Sequence, residues 1–254
     1  MHVLIATPTA GHVVTTAYVH SLIAATQAFT AAGWQYQHQI FNGADVELAR
    51  NYLVSELLRD EYLTHILFLD SDMLIDRPVF ERLIQADQAI AGAIYTNRQM
   101  DWANYSKMIR GGATEGAARA TSMRFNVRML GETIDIRNGW CEVQALGTGC
   151  LMIKREVFNT LIRTNGVRQI RNALLESTVG NVTLYDFFTC IMQNDGDKLG
   201  EDFSFCKRAR NSGFQIWGMA DVAIGHVGRH DFAARYIDFL NHTAKAEDLP
   251  PSNG

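Results

Sequence analysis

Two acids spaced two residues apart, Asp70 and Asp72, come directly after the apolar run Ile66–Leu69. This pairing at the end of a buried strand could hold a divalent ion. Mg²⁺ and Mn²⁺ take hard oxygen ligands, and Mg²⁺ commonly uses one or two carboxylates, completing its shell with water and phosphate oxygens. Asp is also a favoured helix N-cap residue, so the same tripeptide could cap the helix that follows. The spacing alone leaves both interpretations open.

Three further segments carry residues that could do chemistry: Gly200-Glu201-Asp202, Gly147-Thr148-Gly149 and Gly225-His226-Val227-Gly228. The two acids at 201 and 202 open a helical stretch, where negative charge also stabilises the helix N-terminus. His226 lies close to two glycines, which permit close backbone approach to a ligand, although a lone histidine after a strand is often an ordinary core or surface residue. The glycines at 147 and 149 could equally serve only to bend a strand.

The elements that must position these residues alternate between strand and helix in the first hundred residues. Apolar runs predict strands at 3–6, 34–41, 65–69 and 89–95, and helical spacing predicts helices at 14–32, 45–59 and 78–86. Continuous apolar strands separated by helices predict a mostly parallel sheet covered on both faces. Ligands collect beyond the carboxyl ends of such strands, which is where Asp70 and Asp72 are expected.

The second half has a different pattern. A segment rich in glycine and alanine, 111–120, predicts a mobile loop that closes over a bound ligand, and alternation over 123–136 predicts a hairpin. A strand region at 143–153 is interrupted by the glycines at 147 and 149. Helices are predicted at 155–162 and 201–211, and a strand at 214–219. The last residues, 245–254, are expected to form a polar tail.

Composition narrows the class of protein. The 254 residues are 47% hydrophobic and 20% charged, with a formal net charge of −4, so a dedicated polyanion binder is not indicated. Four cysteines without CxxC spacing favour a reducing compartment over a disulfide framework. No apolar stretch approaches the roughly 18 residues of a membrane span, and a soluble protein is expected. A local basic run is expected to be a solvated loop; it comprises Arg98, Lys107, Arg110, Arg119, Arg124 and Arg128.

Leu67–Met73, Gly200–Ala209 and Gly225–Gly228, with Gly213 and Trp217, together resemble the nucleotide-sugar glycosyltransferases of the GT-A fold, family 2-like enzymes especially. The resemblance covers most of the chain. It implies a single α/β domain over 1–254, with a Rossmann-like, mostly parallel sheet flanked by helices and a smaller mixed sheet on the acceptor side. The nucleotide-sugar half would span 1–100, the acceptor and catalytic half 101–244, and the tail 245–254.

Roles for individual residues follow from this resemblance. In the family the Asp-x-Asp motif holds Mn²⁺ or Mg²⁺ against the diphosphate of the donor. Carried over, Asp72 and His226 would ligate the metal, and Asp70 would join them while facing the ribose or sugar of the donor. The other implied donor contacts are Thr7, Pro8, Thr9 and Asp45 at the nucleobase, Arg50 on the second helix, and Gly147 and Gly149 beside the sugar.

The implied reaction is transfer of a sugar from a nucleoside-diphosphate sugar to an acceptor hydroxyl, with Asp202 as first candidate for the general base and Glu201 as second. The Gly-Glu-Asp segment is similar to that of inverting β-1,4-galactosyltransferases, whereas 222–227 is similar to the end of the retaining polypeptide N-acetylgalactosaminyltransferase site. Inversion is the favoured outcome. The absence of a stem, an anchor and a lectin-like module favours a bacterial or viral protein of the cytoplasm.

Two other classes stay open, a sugar nucleotidyltransferase and a non-catalytic nucleotide-sugar-binding protein. The first should carry a basic, glycine-rich loop after its first strand, and Pro8–His12 has no lysine or arginine. The second is disfavoured by the joint presence of the acids and the histidine. The expected acceptor is a saccharide or glycoconjugate, or else a hydroxymethylated DNA base contacted by the basic run.

Overall fold

The computed structural model describes residues 1–228 and 233–246. Its strands are β1 (His2–Thr9), β2 (Gln35–Asn42), β3 (His65–Leu69), β4 (Met73–Leu74), β5 (Ile90–Ala93), β6 (Thr96–Met100), β7 (Met123–Phe125), β8 (Val127–Met129), β9 (Trp140–Leu146), β10 (Cys150–Lys154), β11 (Gln169–Ile170), β12 (Leu184–Tyr185), β13 (Ile216–Met219) and β14 (Gly225–His226). Its helices are α1 (Thr16–Ala31), α2 (Val46–Arg59), α3 (Arg77–Ala86), α4 (Trp102–Arg110), α5 (Glu115–Ser122), α6 (Arg155–Arg163), α7 (Ala173–Val179), α8 (Glu201–Asn211) and α9 (Tyr236–Ala246).

Eight strands form one sheet in the order β2-β1-β3-β10-β5-β13-β9-β8. Three of its seven pairings are parallel, β1 with β2, β1 with β3, and β5 with β13, and the other four are antiparallel. The α/β class is therefore confirmed, and the predicted mostly parallel sheet is not. Antiparallel pairings arise because β9 and β10 run against the other six strands.

Apolar continuity could not reveal these reversals because it reports burial and not direction. β10 lies between β3 and β5, and its residues Cys150 to Ile153 are all buried, as are those of β3. A central strand covered by helices on both faces carries the same continuous apolar pattern in either orientation.

Two apolar clusters cover the two faces of the sheet, and the alternation of β3 divides its residues between them. Ile66 and Phe68 belong to the cluster that includes residues of α2, α6 and α8, while Leu67 and Leu69 belong to the cluster that includes residues of α1 and α3. Because side chains alternate along a strand, the residue after β3 is directed toward the face of α2 and α8. This parity positions Asp70.

Two expectations for the middle of the chain were wrong. Most of the predicted mobile loop at 111–120 is helix α5, which begins after the N-cap Thr114 and buries Ala117, Ala118 and Ala120. Alanine has the highest helix propensity, and the buried alanine side chains pack against the rest of the protein, although the prediction of a mobile loop assumed that this segment could not pack. The predicted hairpin at 123–136 does not form, because β7 pairs with β6 and β8 pairs with β9.

Other features bear on the expected environment. Within residues 1–228 and 233–246, no helix is both long and apolar enough to span a lipid bilayer. The four cysteines are free thiols, and three of them are buried. The first two residues of the predicted tail at 245–254 are the end of α9, and the rest of it, 247–254, lies outside the described residues.

Candidate functional site

A cleft of about 260 Å³ opens where β1 and β3 end, at the edge predicted from the acids. Its lining includes Pro8, Thr9, Arg50, Asp70, Asp72 and Arg98. Oppositely charged side chains therefore meet in one small cavity, and their pairing decides what the cleft can bind.

Asp70 is held by an arginine from α2. The Nη2 of Arg50 donates to both oxygens of Asp70, at 3.0 and 3.2 Å, and its Nε lies 3.5 Å from Oε1 of Glu201. The arginine side chain is only 3% exposed. Burial acts to lower the pKa of Arg50, but the charges of Asp70 and Glu201 outweigh it and raise that pKa, so the guanidinium stays charged.

Two nitrogen atoms of Arg50 are nevertheless buried without a hydrogen bond to any described residue. In the described part of the chain neither its Nε nor its Nη1 has a hydrogen-bond partner, and the hydroxyl of Thr9 in the same cleft is also buried without one. A buried unsatisfied donor costs about 1–3 kcal/mol, and more when charged. These atoms have almost no solvent-accessible surface, so what Arg50 offers to the cleft is its positive charge, which favours an anionic ligand such as a phosphate.

Asp72 lies beside two cationic or potentially cationic groups. Its Oδ2 is 3.0 Å from Nη1 of Arg98 and 3.5 Å from Nε2 of His226. The pairing of β14 with β4 brings the histidine here, with His226 opposite Met73 and the Val227 amide donating to the Asp72 carbonyl at 2.8 Å. Burial acts to raise the pKa of Asp72, but His226 and Arg98 outweigh it, and the pKa lies below its ordinary value.

The orientation of His226 is fixed by its other ring nitrogen. Nδ1 is 2.9 Å from the Thr96 carbonyl oxygen, which can only accept, so Nδ1 carries the proton and Nε2 is directed at Asp72. Burial acts to lower the pKa of His226, but Asp72 and the Thr96 carbonyl raise it. An imidazole whose second nitrogen donates to a backbone carbonyl is the usual arrangement of a metal-ligating histidine.

The three residues predicted to ligate a metal are not gathered into one group. Asp72 and His226 face each other, whereas Asp70 faces Arg50. Across residues 1–228 and 233–246, no set of three His, Cys, Asp or Glu side chains is placed to hold a metal ion. The carboxylate of Asp72 fits Mn²⁺ or Mg²⁺ if phosphate oxygens and water complete the shell, whereas the imidazole nitrogen of His226 suits Mn²⁺ better than Mg²⁺.

Asp202, in the first turn of α8, has an environment opposite to that of Asp72. Its Oδ2 accepts from Nδ2 of Asn126 at 3.1 Å, and the same amide donates to the Tyr95 hydroxyl at 3.2 Å. Burial and the charge of Glu201 raise the pKa of Asp202 to about 6, against the hydrogen bonds from Phe203 and Asn126. A carboxylate that exchanges its proton near neutral pH is suited to general-base catalysis.

The glycines at 147 and 149 make room for this network. A Cβ at Gly147 would lie 2.2 Å from Nδ2 of Asn126 and 2.4 Å from the Tyr95 hydroxyl, and one at Gly149 would lie 2.9 Å from the same hydroxyl. The Gly149 amide also donates to the Tyr95 hydroxyl at 3.0 Å. Neither glycine is in the lining of the cleft, so their direct role is close packing against Tyr95 and Asn126.

The remaining predicted donor contacts divide. Pro8 and Thr9 line the cleft. Thr7 does not, because its hydroxyl is buried against the Tyr18 hydroxyl at 2.7 Å on the α1 side of β1. Asp45 caps α2 by accepting from the Leu48 amide, and it lines a neighbouring cleft of about 350 Å³ that shares Gly43 and Ala44 with the first.

Three residues of this site were missed as site residues: Tyr95, Arg98 and Asn126. Tyr95 comes just after the buried strand β5, as Asp70 and Asp72 come after β3, so the same rule about strand ends could have identified it, whereas Arg98 lies within the next strand, β6. Asn126 gave no local signal, because its importance depends on contacts with Tyr95 and Asp202 that are distant in sequence.

No protein-family model matches the sequence, and no curated protein matches it. Among solved structures, the chain is similar to A197 from STIV, at 14% sequence identity and a TM-score of 0.46, over 92% of this chain and 94% of that one. Nothing about function follows from a similarity at this level.

Proposed function

We propose that this chain is a metal-dependent glycosyltransferase of the GT-A type, which moves a sugar from a nucleoside-diphosphate sugar to an acceptor hydroxyl with inversion. One observation carries the proposal. A carboxylate and an oriented imidazole, Asp72 and His226, lie at the same edge of the sheet as a second carboxylate, Asp202, whose pKa is raised to about 6. Asp72 and His226 are suited to binding a metal ion and the diphosphate, and Asp202 is suited to accepting a proton.

The donor would lie in the cleft of Thr9, Arg50 and Arg98. The exposed guanidinium of Arg98 offers N–H groups to the diphosphate, and the buried guanidinium of Arg50 offers positive charge. Asp72 and His226 would hold Mn²⁺ or Mg²⁺, which when bound stabilises the charge on the departing diphosphate as a Lewis acid. Asp70 would keep its bond to Arg50 and present its remaining acceptor capacity to a donor hydroxyl.

Asp202 would act on the acceptor. Its carboxylate takes the proton of the acceptor hydroxyl as that oxygen attacks the sugar C1, and the bond from C1 to the phosphate oxygen breaks with its electron pair leaving on the diphosphate. Asn126 orients the carboxylate through the 3.1 Å bond to Oδ2 and is itself fixed by Tyr95. General-base assistance of this kind contributes about 10²- to 10⁴-fold.

The test is a screen of nucleoside-diphosphate sugars without acceptor, measuring release of free nucleoside diphosphate in the presence of Mn²⁺. We expect slow hydrolysis of at least one donor, abolished by EDTA and restored by Mn²⁺ or Mg²⁺. Release that persists after exhaustive chelation would contradict the metal assignment. If no donor is hydrolysed and calorimetry detects no binding of nucleoside diphosphate with Mn²⁺, the proposed function is wrong.

A further inference from the structure

A second polar pocket is lined in part by Phe203, the residue after Asp202, and shares no lining residue with the donor cleft. It has a volume of about 200 Å³ and lies between α8 and the paired strands β8 and β9. Its polar lining is formed by three cations and three carboxamides: Arg128, Lys207, Arg210, Gln144, Gln193 and Asn211. No acidic side chain lines it. The proposed reaction assigns no role to these residues.

Two parallel contacts tie this pocket to the base. Asn126 lies in the bend between β7 and β8, and Arg128 is in β8, two residues further along. Asn126 contacts Asp202, and the Arg128 guanidinium lies over the ring of the next residue, Phe203, 5.4 Å from its centroid. The pocket therefore begins one residue from the proposed base.

The cations differ in how far their charge is already neutralised. Nη1 of Arg210 donates to Glu142 at 3.0 Å and to the Val143 carbonyl at 3.2 Å, which fixes this side chain. Among the described residues, the one ion pair of Arg128 is a long contact of 3.8 Å to Asp197. Lys207 is exposed, and within the described residues no ion pair engages it. Arg128 and Lys207 thus keep charge available for an anion.

We infer that this pocket binds a saccharide acceptor that carries an anionic group. This inference rests on the proposed function and names its acceptor class. Phosphate, sulfate and carboxylate groups all accept charge-assisted hydrogen bonds from arginine and lysine, and the carboxamides of Gln144, Gln193 and Asn211 can donate to and accept from sugar hydroxyls. The volume of about 200 Å³ is below the about 300–1,000 Å³ of drug-sized ligand sites, which suits a single sugar ring.

Calorimetry tests the pocket independently of turnover. Glucose 6-phosphate, glucuronate and glucose are each titrated into three proteins. These are the wild type, the double variant Arg128→Gln/Lys207→Gln, and the matched control Lys107→Gln/Arg110→Gln, which changes exposed positions of α4. We expect the anionic sugars to bind at least tenfold more tightly than glucose, and this preference to disappear only in the pocket variant. The inference would be overturned if glucose bound as tightly as the anionic sugars, or if both double variants lost the same amount of affinity for the anionic sugars.

Transfer assays separate this inference from the proposed function. The pocket variant should raise the KM for an anionic acceptor tenfold or more and leave acceptor-free donor hydrolysis unchanged. Donor hydrolysis combined with equal transfer to neutral and anionic sugars would overturn the inference and leave the proposed function intact. Competition by duplex DNA that depends on Lys107 and Arg110 but not on Arg128 and Lys207 would also overturn it, in favour of a nucleic-acid acceptor.

Discussion

Asp72 and Asp202 are both partly buried carboxylates near one edge of the sheet, yet their surroundings shift their pKa values in opposite directions. Asp72 lies against Arg98 and His226, and its pKa is lowered. Asp202 is desolvated by burial and lies beside the charge of Glu201, and its pKa is raised to about 6. Arg50 acts to lower the pKa of Asp202, but burial and the charge of Glu201 outweigh it.

The difference shows how one residue type acquires two roles. A carboxylate kept ionised by cations can bind a metal or repel a competing anion at any physiological pH. One that is desolvated beside a like charge holds its proton more tightly and exchanges it near neutrality, which is the property a general base needs. The four changes that follow each break or sharpen this contrast.

The largest effect is expected from Asp202→Asn. Because an amide cannot accept the proton of the acceptor, transfer should fall by about 10²- to 10⁴-fold while the affinity for nucleoside diphosphate is unchanged. Steady-state transfer and calorimetry measure the two quantities, with Asp135→Asn, an exposed acid paired with Arg137, as the control. A product with the anomeric configuration of the donor would refute the role of Asp202.

The next largest effect concerns the other carboxylate. Asp72→Asn and His226→Gln should each weaken the joint binding of Mn²⁺ and nucleoside diphosphate by at least about 10- to 100-fold, the range that the loss of a supporting partner around a metal ligand already costs. Calorimetry with and without Mn²⁺ measures this, and Asp76→Asn, with a side chain 78% exposed, is the control. Unchanged binding in both variants would remove Asp72 and His226 from the metal site.

A smaller effect tests the packing that positions Asp202. Gly147→Ala would place a Cβ against Asn126 and Tyr95, and overpacking of this kind costs about 1–3 kcal/mol. Gly116→Ala is the matched control, because this glycine lies inside α5 with nothing within 4 Å of the added Cβ. The control should gain about 0.5–1 kcal/mol from helix propensity. Chemical denaturation of both variants measures the contrast, and equal stabilities would contradict the close approach.

The smallest effect is on pH dependence. With a pKa of about 6, Asp202 should give kcat/KM an acidic limb, and Glu201→Gln should move this limb to lower pH because it removes a like charge. The folded-state pKa is raised above 3.8, so the contribution of Asp202 to stability is complete below that pH and is lost as pH rises through 6. A limb that does not move in Glu201→Gln would show that another group titrates.

Several elements could be predicted closely because their signals are local. The helix predicted at 201–211 corresponds to α8, and the strand predicted at 65–69 corresponds to β3. α2 begins one residue after its predicted start, because Asp45 is its N-cap and accepts from the Leu48 amide. Apolar spacing and caps act over a few residues, so they can be read without knowing the rest of the fold.

Other elements depended on distant partners. α5 is helical in a segment of small residues that looked like a loop, and it lies beside α9, which is more than a hundred residues further along the chain. β8 is a strand through its pairing with β9 and not through a hairpin with β7. These segments are too short or too weakly patterned to define themselves, and tertiary contacts decide their structure.

The sequence by itself determined that a buried strand ends in Asp70 and Asp72, and that Glu201 and Asp202 open a helix, because both follow from short-range patterns. Only the tertiary structure decided which side chains these acids contact. Asp70 pairs with Arg50, and Asp72 pairs with Arg98 and His226. Asp202 accepts a hydrogen bond from Asn126, which also contacts Tyr95. These partners come from separate elements brought to one edge of the sheet. The charge state of a carboxylate depends on the groups within a few ångströms in space, and local sequence patterns do not specify those groups.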